Sequence, residues 1–273
     1  MGTLYIVGTP VGNLEDITLR ALRILQEVQL IAAEDTRKAR ILLDKYTIHT
    51  PLTSFFEGNE RYKTDRLLEA LDSGDVALIS EAGMPGISDP GYPLIQAAIA
   101  RGIPVVPVPG PSAHTAALVA SGLPTDRFFF LGFLSRKAAE RQAQLAEIAT
   151  VRATLVLYEA PHRLKATLEA VHAVLGNRPL ALCRELTKHF EEIWRGDVEG
   201  ALAHLAENPP RGEYTLVIGG APETVSRWDG ERVRAALEER LTGGLSRSQA
   251  AREIAALSGW SRREIYALAS EEL

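Results

Sequence analysis

The sequence predicts an α/β protein with two consecutive α/β domains and a small helical module at the C-terminal end. Three observations carry that expectation. Short apolar strands alternate with amphipathic helices along most of the 273 residues. The length is close to twice that of a domain of about 150 residues. Strand patterns stop near Pro222, and only helical periodicity follows. We place the boundaries at 1–111, 112–224 and 225–273, with Ser121-Gly122-Leu123-Pro124 reading as a hinge.

Element by element, residues 4–8 read as a buried strand, and 18–28 as a helix carrying Leu19, Leu22 and Leu25 or Val28 at helical spacing. A strand at 30–33 precedes a helix at 36–45, then a helix at 60–72 ended by Ser73-Gly74. Strand 76–79, helix 93–100 and strand 105–108 complete an alternation that implies a mostly parallel sheet covered by helices on both faces. Helix 113–119 leads to the aromatic strand 127–131, helix 138–148, strand 154–158, helix 164–175 and strand 180–184. Two more strands, 191–195 and 214–218, flank helix 198–206. The tail reads as helices 231–241, 247–257 and 262–269, with Ser258-Gly259-Trp260 as a turn and Ser261 as an N-cap. The spacing of Ala255, Gly259, Ile265 and Leu268 suits a helix-turn-helix. Eight Arg balance eight acidic residues over 225–273, which favours a packing module over a DNA reader.

Composition removes several function classes. One cysteine, Cys183, excludes a disulfide framework and a multi-thiolate zinc site; inside an apolar strand it reads as core packing. The start of the chain has no basic flank, and its apolar stretch meets Gly8 and Pro10 at once, unlike a signal peptide. No apolar run reaches the roughly 18 residues of a membrane span. A cytoplasmic setting follows by elimination. Thirty basic against 35 acidic residues give a net charge of −5, which by itself offers no reason to expect nucleic-acid binding.

Four Gly/Pro-rich segments each follow an expected strand: Gly8–Asn13, Ser80–Gly91, Pro107–Ala113 and Glu159–Arg163. Ligands of open α/β sheets sit outside the carboxyl ends of the strands. Glycine lets backbone approach a ligand, and proline fixes loop shape before binding. The first loop matches neither a P-loop nor a dinucleotide fingerprint. The second and third segments contain no Lys or Arg, so a ligand with little or no phosphate fits better.

Six motifs, in order from about residue 3 to 220, carry a family resemblance: Gly8-Thr9-Pro10-Val11-Gly12-Asn13-Leu14, Ala33-Glu34-Asp35-Thr36-Arg37, the 80–91 segment, Pro109-Gly110-Pro111-Ser112-Ala113, Tyr158-Glu159-Ala160-Pro161-His162-Arg163 and Arg184-Glu185-Leu186-Thr187-Lys188. With them the chain resembles the tetrapyrrole (corrin/porphyrin) methylase superfamily. Within that superfamily it is most similar to the branch that 2′-O-methylates a cytidine ribose in small-subunit ribosomal RNA. The resemblance implies a cleft between two α/β domains that holds S-adenosylmethionine (SAM), with no metal, and usually a homodimer. By position, Pro10 and Val11 would lie under the cofactor, and Glu81, Ala82, Gly83 and Ile87 would line its amino-acid and ribose side. Ser112 and Ala113 would follow the Pro-Gly loop, and Tyr158 with Glu159 would approach the adenine. The branch more often has Ser-Asp-Ala-Gly-Thr-Pro where this chain has Ser80-Glu81-Ala82-Gly83-Met84-Pro85. The longer glutamate leaves a direct carboxylate contact at 81 open.

Methylating a ribose hydroxyl requires an acceptor for its proton. The candidates are Asp35, Glu185 and Lys188. Lys188 could act as a base only with a lowered pKa, or could instead hold a phosphate as a cation. Asp35 could also simply start a helix with Arg37. Arg37, His162, Arg163 and Arg184, with His189 nearby, are candidates for substrate phosphate contacts. Residues 127–165 carry seven Lys plus Arg against three Glu, which a solvated face explains equally well. Phe128, Phe129 and Phe130 read as a buried strand and interface edge rather than a base-stacking surface. An acidic protein acting on RNA is expected to meet a structured target, such as an assembled small subunit. The alternatives are C-methylation of a tetrapyrrole precursor and a non-enzymatic ligand-responsive nucleic-acid binder.

Overall fold

The structure is a computed structural model that describes residues 1–222 and 228–271. It forms two compact units, Met1–Ala221 and Pro222–Leu273. The boundary expected between residues 224 and 225 lies outside the described residues.

The first unit contains two five-stranded sheets. The first is built by β1 (Leu4–Val7), α1 (Leu19–Glu27), β2 (Leu30–Ala33), α2 (Thr36–Lys45), β3 (Leu52–Ser54), α3 (Glu60–Ser73), β4 (Val76–Ile79), α4 (Tyr92–Ala100) and β5 (Val105–Val108). Its strands run in the order β3-β2-β4-β1-β5 and all pair in parallel. The period-2 alternation of a strand divides its side chains between two cores. Ile31, Ala33, Ala77 and Ile79 pack under α1 and α2, while Ala32, Val76 and Leu78 pack under α3 and α4. The helix expected at 18–28 forms, with Thr18 capping it by accepting from the Ala21 N–H at 3.1 Å. Its buried face runs through Ala21, Ile24 and Leu25, whereas Leu19 is 85% exposed. β3 was not expected; its three half-buried residues are too few to show a period.

α5 (Ala113–Ser121) leads into the second sheet, ended by Gly122 in the left-handed conformation. The second sheet is formed by β6 (Phe128–Phe133), α6 (Ala138–Glu147), β7 (Thr154–Glu159), α7 (Pro161–Leu175), β8 (Pro179–Arg184), β9 (Glu192–Asp197), α8 (Val198–Glu207) and β10 (Tyr214–Ile218), in the order β6-β7-β10-β8-β9. This sheet is mixed. Only β6 and β7 pair in parallel, and β10 and β9 run against their neighbours. The chain between β8 and β9 is too short for a parallel crossover, which needs a dozen or more residues. α7 begins at Pro161, a residue whose fixed φ suits a first helical turn. One face of this sheet packs on α6, α7 and α8 through Leu155, Leu157, Leu182 and Leu216, and the other on α5 through Val156, Ala181 and Cys183. Cys183 is fully buried, as expected. Phe128 and Phe129 are exposed on the edge strand, contrary to a buried strand, while Phe130 packs against His114 and Tyr158.

In the second unit, α9 (Gly230–Thr242), α10 (Arg247–Ser258) and α11 (Arg262–Glu271) pack around Val233, Leu237, Ala250, Ile254 and Ile265. Ser246 and Gln249 form a capping box at the start of α10, and Gly259 ends it in the left-handed conformation. Ser261 accepts from the Glu264 N–H at 3.2 Å, the cap expected for the third helix. Among the described residues, no helix is long and apolar enough to cross a membrane.

Candidate active site

The loops at the carboxyl ends of β1, β4 and β5 converge. Thr9 and Gly83 exchange backbone hydrogen bonds of 2.9 Å in each direction, which joins the first loop to the second. A Cβ on Gly8 would stand 2.8 Å from the Gly110 Cα, so the β1 and β5 loops touch at backbone distance and only glycine fits. The loop after β8 closes on the first loop, with the Asn13 N–H donating to Thr187 Oγ1 at 3.0 Å.

Together these loops enclose a cavity of about 370 Å³, within the roughly 300–1,000 Å³ of small-molecule sites. It is lined by the β1 loop at Val11, by residues 81–84 and 87–89, by Ser112, Ala113 and His114, by Phe133, Tyr158 and Glu159, and by Cys183, Glu185, Lys188, Glu213 and Tyr214. Among the described residues, four non-glycine residues have positive φ, and two of them, Ser88 (62°) and Glu185 (50°), line the cavity. A third, Thr187 (66°), lies between them and the first loop. Residues held in this sparsely populated region cluster at functional sites.

The charges are arranged in pairs. The Lys188 ammonium donates to Glu185 Oε1 and Glu213 Oε2, both at 2.9 Å. Burial pulls its pKa down, but the two carboxylates outweigh burial and hold it above the usual lysine value. Burial raises Glu185 too, yet the Glu213 N–H and Lys188 leave it below the ordinary carboxylate range. Lys38 pairs with Glu81, whose N–H donates to Glu34 Oε2 at 3.2 Å. Burial pushes the Glu34 carboxyl up. Asp89, half-buried, is pushed up to about 7, first by burial and then by the Glu34 charge, with the Ser80 hydroxyl working against both. Burial also lowers His114, raises the Tyr158 phenol, and lifts the Cys183 thiol to about 11. His114 Nδ1 lies 3.1 Å from Ser112 Oγ and 3.2 Å from the Tyr158 hydroxyl.

The residues expected to touch a cofactor converge here. Val11, Glu81, Ala82, Gly83, Ile87, Ser112, Ala113, Tyr158 and Glu159 all line the cavity. Pro10 is buried outside the lining. The Glu159 carboxylate is engaged inside the protein by the Ala160 N–H (2.9 Å), Thr167 Oγ1 (2.5 Å) and Arg163 Nε (3.1 Å). Of the expected catalytic residues, Glu185 and Lys188 line the cavity and Asp35 does not. Asp35 caps α2 by accepting from the Arg37 N–H at 2.8 Å, and the Arg37 guanidinium holds its carboxyl well below the usual range. Of the expected substrate contacts, Arg37 and His162 are exposed, Arg163 is tied to Glu159, and Arg184 pairs with Glu192 at 2.9 Å. None of these four lines the cavity. Sequence reasoning did not single out Glu34, Asp89, His114 or Glu213. Asp89 stands inside a motif already recognised, and its place in an unusually long loop was the available signal. Glu213 carries no local pattern and reaches the site only because β10 inserts between β7 and β8.

The donor set suits a cation better than a phosphate. Glu34, Glu81, Asp89, Glu185 and Glu213 all stand on the wall. The cation on the lining, Lys188, is already held by two carboxylates. SAM, with its sulfonium, its amino-acid end and no phosphate, fits that wall.

The model of the Tetrapyrrole (Corrin/Porphyrin) Methylases matches residues 3–201. A Synechocystis protein named ribosomal RNA small subunit methyltransferase I is 48% identical, over 99% of this chain and 98% of its own. Its namesake from Halalkalibacterium halodurans is 44% identical over 99% of this chain and 96% of its own. A crystal structure of uroporphyrin-III C-methyltransferase from Thermus thermophilus complexed with S-adenosylhomocysteine has the same fold. Its TM-score is 0.56 at 22% identity, covering 80% of this chain and 97% of that one. The chain therefore belongs to the tetrapyrrole (corrin/porphyrin) methylase family and, within it, to the ribosomal RNA small subunit methyltransferase I branch.

Proposed function

We propose that this protein uses SAM to methylate the ribose 2′-oxygen of a cytidine in small-subunit ribosomal RNA. The observation that carries this is identity of 40–48% over nearly the whole chain with proteins named as small-subunit ribosomal RNA methyltransferases. The phosphate-averse cavity at the strand ends agrees with it. When bound, SAM supplies a methyl group on a positively charged sulfur.

The chain's own residues then have four tasks. Val11, Ala82, Gly83, Ile87, Ser112 and Ala113 hold the cofactor between the β1, β4 and β5 loops, with Pro10 supporting Val11. Tyr158, steadied by His114 and flanked by Phe130 and Phe133, closes the adenine side together with Glu159. Glu81 and Glu34 face the positive end. Lys188, fixed by Glu185 and Glu213, stays a cation that ties those two carboxylates together, and the exposed Arg37 and His162 are left to meet the substrate's phosphates. Holding oxygen, carbon and sulfur in line supplies much of the acceleration. The partners we propose are an assembled small subunit in the cytoplasm and a second copy of this chain. Light scattering that shows only a monomer would remove the second.

The test is incubation with SAM and small subunits, followed by nucleoside mass spectrometry. We expect 2′-O-methylcytidine. A base-methylated nucleoside, or none, would overturn the proposal.

A further inference from the structure

The loop between β3 and α3 stands at the carboxyl ends of the first sheet, beside the cavity but outside its lining. The Phe55 N–H donates to Ala33 O at 2.8 Å, which sets this loop against the end of β2, where α2 begins. At its other end, Glu60 Oε1 accepts from the Gly91 N–H at 2.8 Å, which ties the first turn of α3 to the cavity loop after β4. Phe56 is held between them. Its N–H donates to Asn59 Oδ1 at 2.8 Å, and its carbonyl accepts from the Asn59 N–H at 2.8 Å. A Cβ on Gly58 would stand 2.8 Å from Phe56 Cε2, so the ring packs on bare backbone.

Although fixed in this way, Phe56 is 44% exposed, and Tyr62, in the first turn of α3, is 61% exposed. The Arg66 guanidinium lies over the Tyr62 ring, 4.4 Å from its centroid. Arg37 and Arg61 are each the second residue of their helices, α2 and α3, which start at the ends of the neighbouring strands β2 and β3. Among the described residues Arg61 forms no ion pair. Arg37, bonded to Asp35, keeps 90% of its side chain in solvent. Glu57 is the exposed carboxylate between the two aromatics. The cavity wall itself is acidic, and its Lys188 is taken by two carboxylates. Phosphates on either side of a bound nucleotide therefore find their cations outside that wall.

We propose that Phe56, Tyr62, Arg37 and Arg61 form a platform for the single-stranded ribosomal RNA that flanks the methylated cytidine; this rests on small-subunit RNA being the acceptor. Unstacked bases of single strands are held on aromatic rings and arginine planes. Phe56 and the Arg66-backed Tyr62 ring take bases, Arg37 and Arg61 meet phosphates, and Glu57 accepts from a base amino group. A nucleotide that enters the cavity must leave its stack, and stacking its neighbours on the protein returns part of that cost. The composition of the patch favours RNA over a protein partner. Its two aromatics stand among arginines instead of joining a continuous apolar surface, which is the mark of a protein-docking face.

The experiment sets steady-state methylation of isolated small subunits by the full chain beside filter binding of naked small-subunit RNA across salt. In Phe56→Ala and in Tyr62→Ala we expect KM for the subunit and Kd for the RNA each to rise about 5- to 150-fold. The loss should fall on KM rather than kcat, with SAM affinity retained. Alanine suits a helix, so Tyr62→Ala keeps the fold even where Phe56→Ala disturbs its loop. Phe56→Trp should restore binding, and Phe56→Leu, apolar but without a ring, should not. Arg61→Gln should flatten the plot of log Kd against log salt by about 0.7, while the two aromatic variants leave its slope alone. Unchanged KM in both alanine variants, or full binding by Phe56→Leu, overturns the platform alone. Weaker binding of subunits with equal binding of naked RNA gives the patch to a ribosomal protein and overturns it as well. So does a fall of either alanine variant to lower molar mass in light scattering, which gives the patch to a second copy of this chain. A wild type that neither binds nor methylates small-subunit RNA overturns the functional reading on which the platform stands.

Discussion

Glu159 shows how one side chain can be fixed by its surroundings rather than by its role. Its carboxylate is fully buried and satisfied by the Ala160 N–H, Thr167 Oγ1 and Arg163. The Arg163 Nη2 also donates to Leu134 O at 2.6 Å, tying α7 to the end of β6. Removing one partner of a buried pair leaves an uncompensated charge, which costs about 3–5 kcal/mol. We therefore expect Arg163→Met to lower the unfolding free energy by about that amount in chemical denaturation. Asp89 gives a pH prediction of the same kind. Its folded pKa is raised above the unfolded one, so its contribution to stability is complete below the unfolded value and is lost as pH rises through about 7. Compared with Asp89→Asn, the wild type should lose stability between about pH 4 and 7. A parallel pair of curves would refute this. At this scale the sequence shows which residue types cluster, but not which way they face. Leu19 fits the helical spacing yet is exposed, and Phe128 fits a core strand yet lies on an open edge. Charge partners such as Glu213 for Lys188 come from distant elements and leave no local trace.

Among the elements, the loops at the strand ends build the cavity, and they are braced against one another. A Cβ on Gly12 would collide with the Lys188 side chain and stand 2.7 Å from Thr187 Oγ1 and 2.9 Å from Leu186 O. Gly12→Ala must therefore push the β1 loop away from the loop after β8. We expect SAM affinity to fall about tenfold, a loss of about 1.4 kcal/mol, with the helical content of the fold unchanged. Calorimetry beside far-ultraviolet dichroism would read both, and full affinity would contradict the bracing. The Gly- and Pro-rich composition of these loops made them visible in the sequence, because backbone contact of the Gly8–Gly110 kind excludes side chains. Strand existence was legible where apolar runs were four residues or longer, as in β1, β2 and β4. Strand direction was legible in the first sheet, whose alternation implied the parallel pairing it shows, and not in the second. The antiparallel setting of β9 and β10 follows from the short β8–β9 connection and from long-range insertion, which hydrophobic pattern does not encode.

For the molecule as a whole, every cavity-lining residue belongs to the unit Met1–Ala221, and the helical unit has its own core around Ile254 and Ile265. We expect a chain ending at Ala221 to bind SAM with the affinity of the full chain, which equilibrium dialysis would check. A loss of binding would mean that the helical unit contributes to the site. The strand ends, the loop composition and the six motifs made the cavity and most of its lining legible before the fold was known. The acceptor was not legible from charge, since a net charge of −5 says nothing of RNA. The most direct test is therefore transfer of labelled methyl from SAM to naked ribosomal RNA, isolated small subunits and a porphyrinogen offered side by side. We predict label on a ribose 2′-oxygen in the subunits, with weaker labelling of naked RNA and none in the porphyrinogen. Label confined to the porphyrinogen would contradict the account.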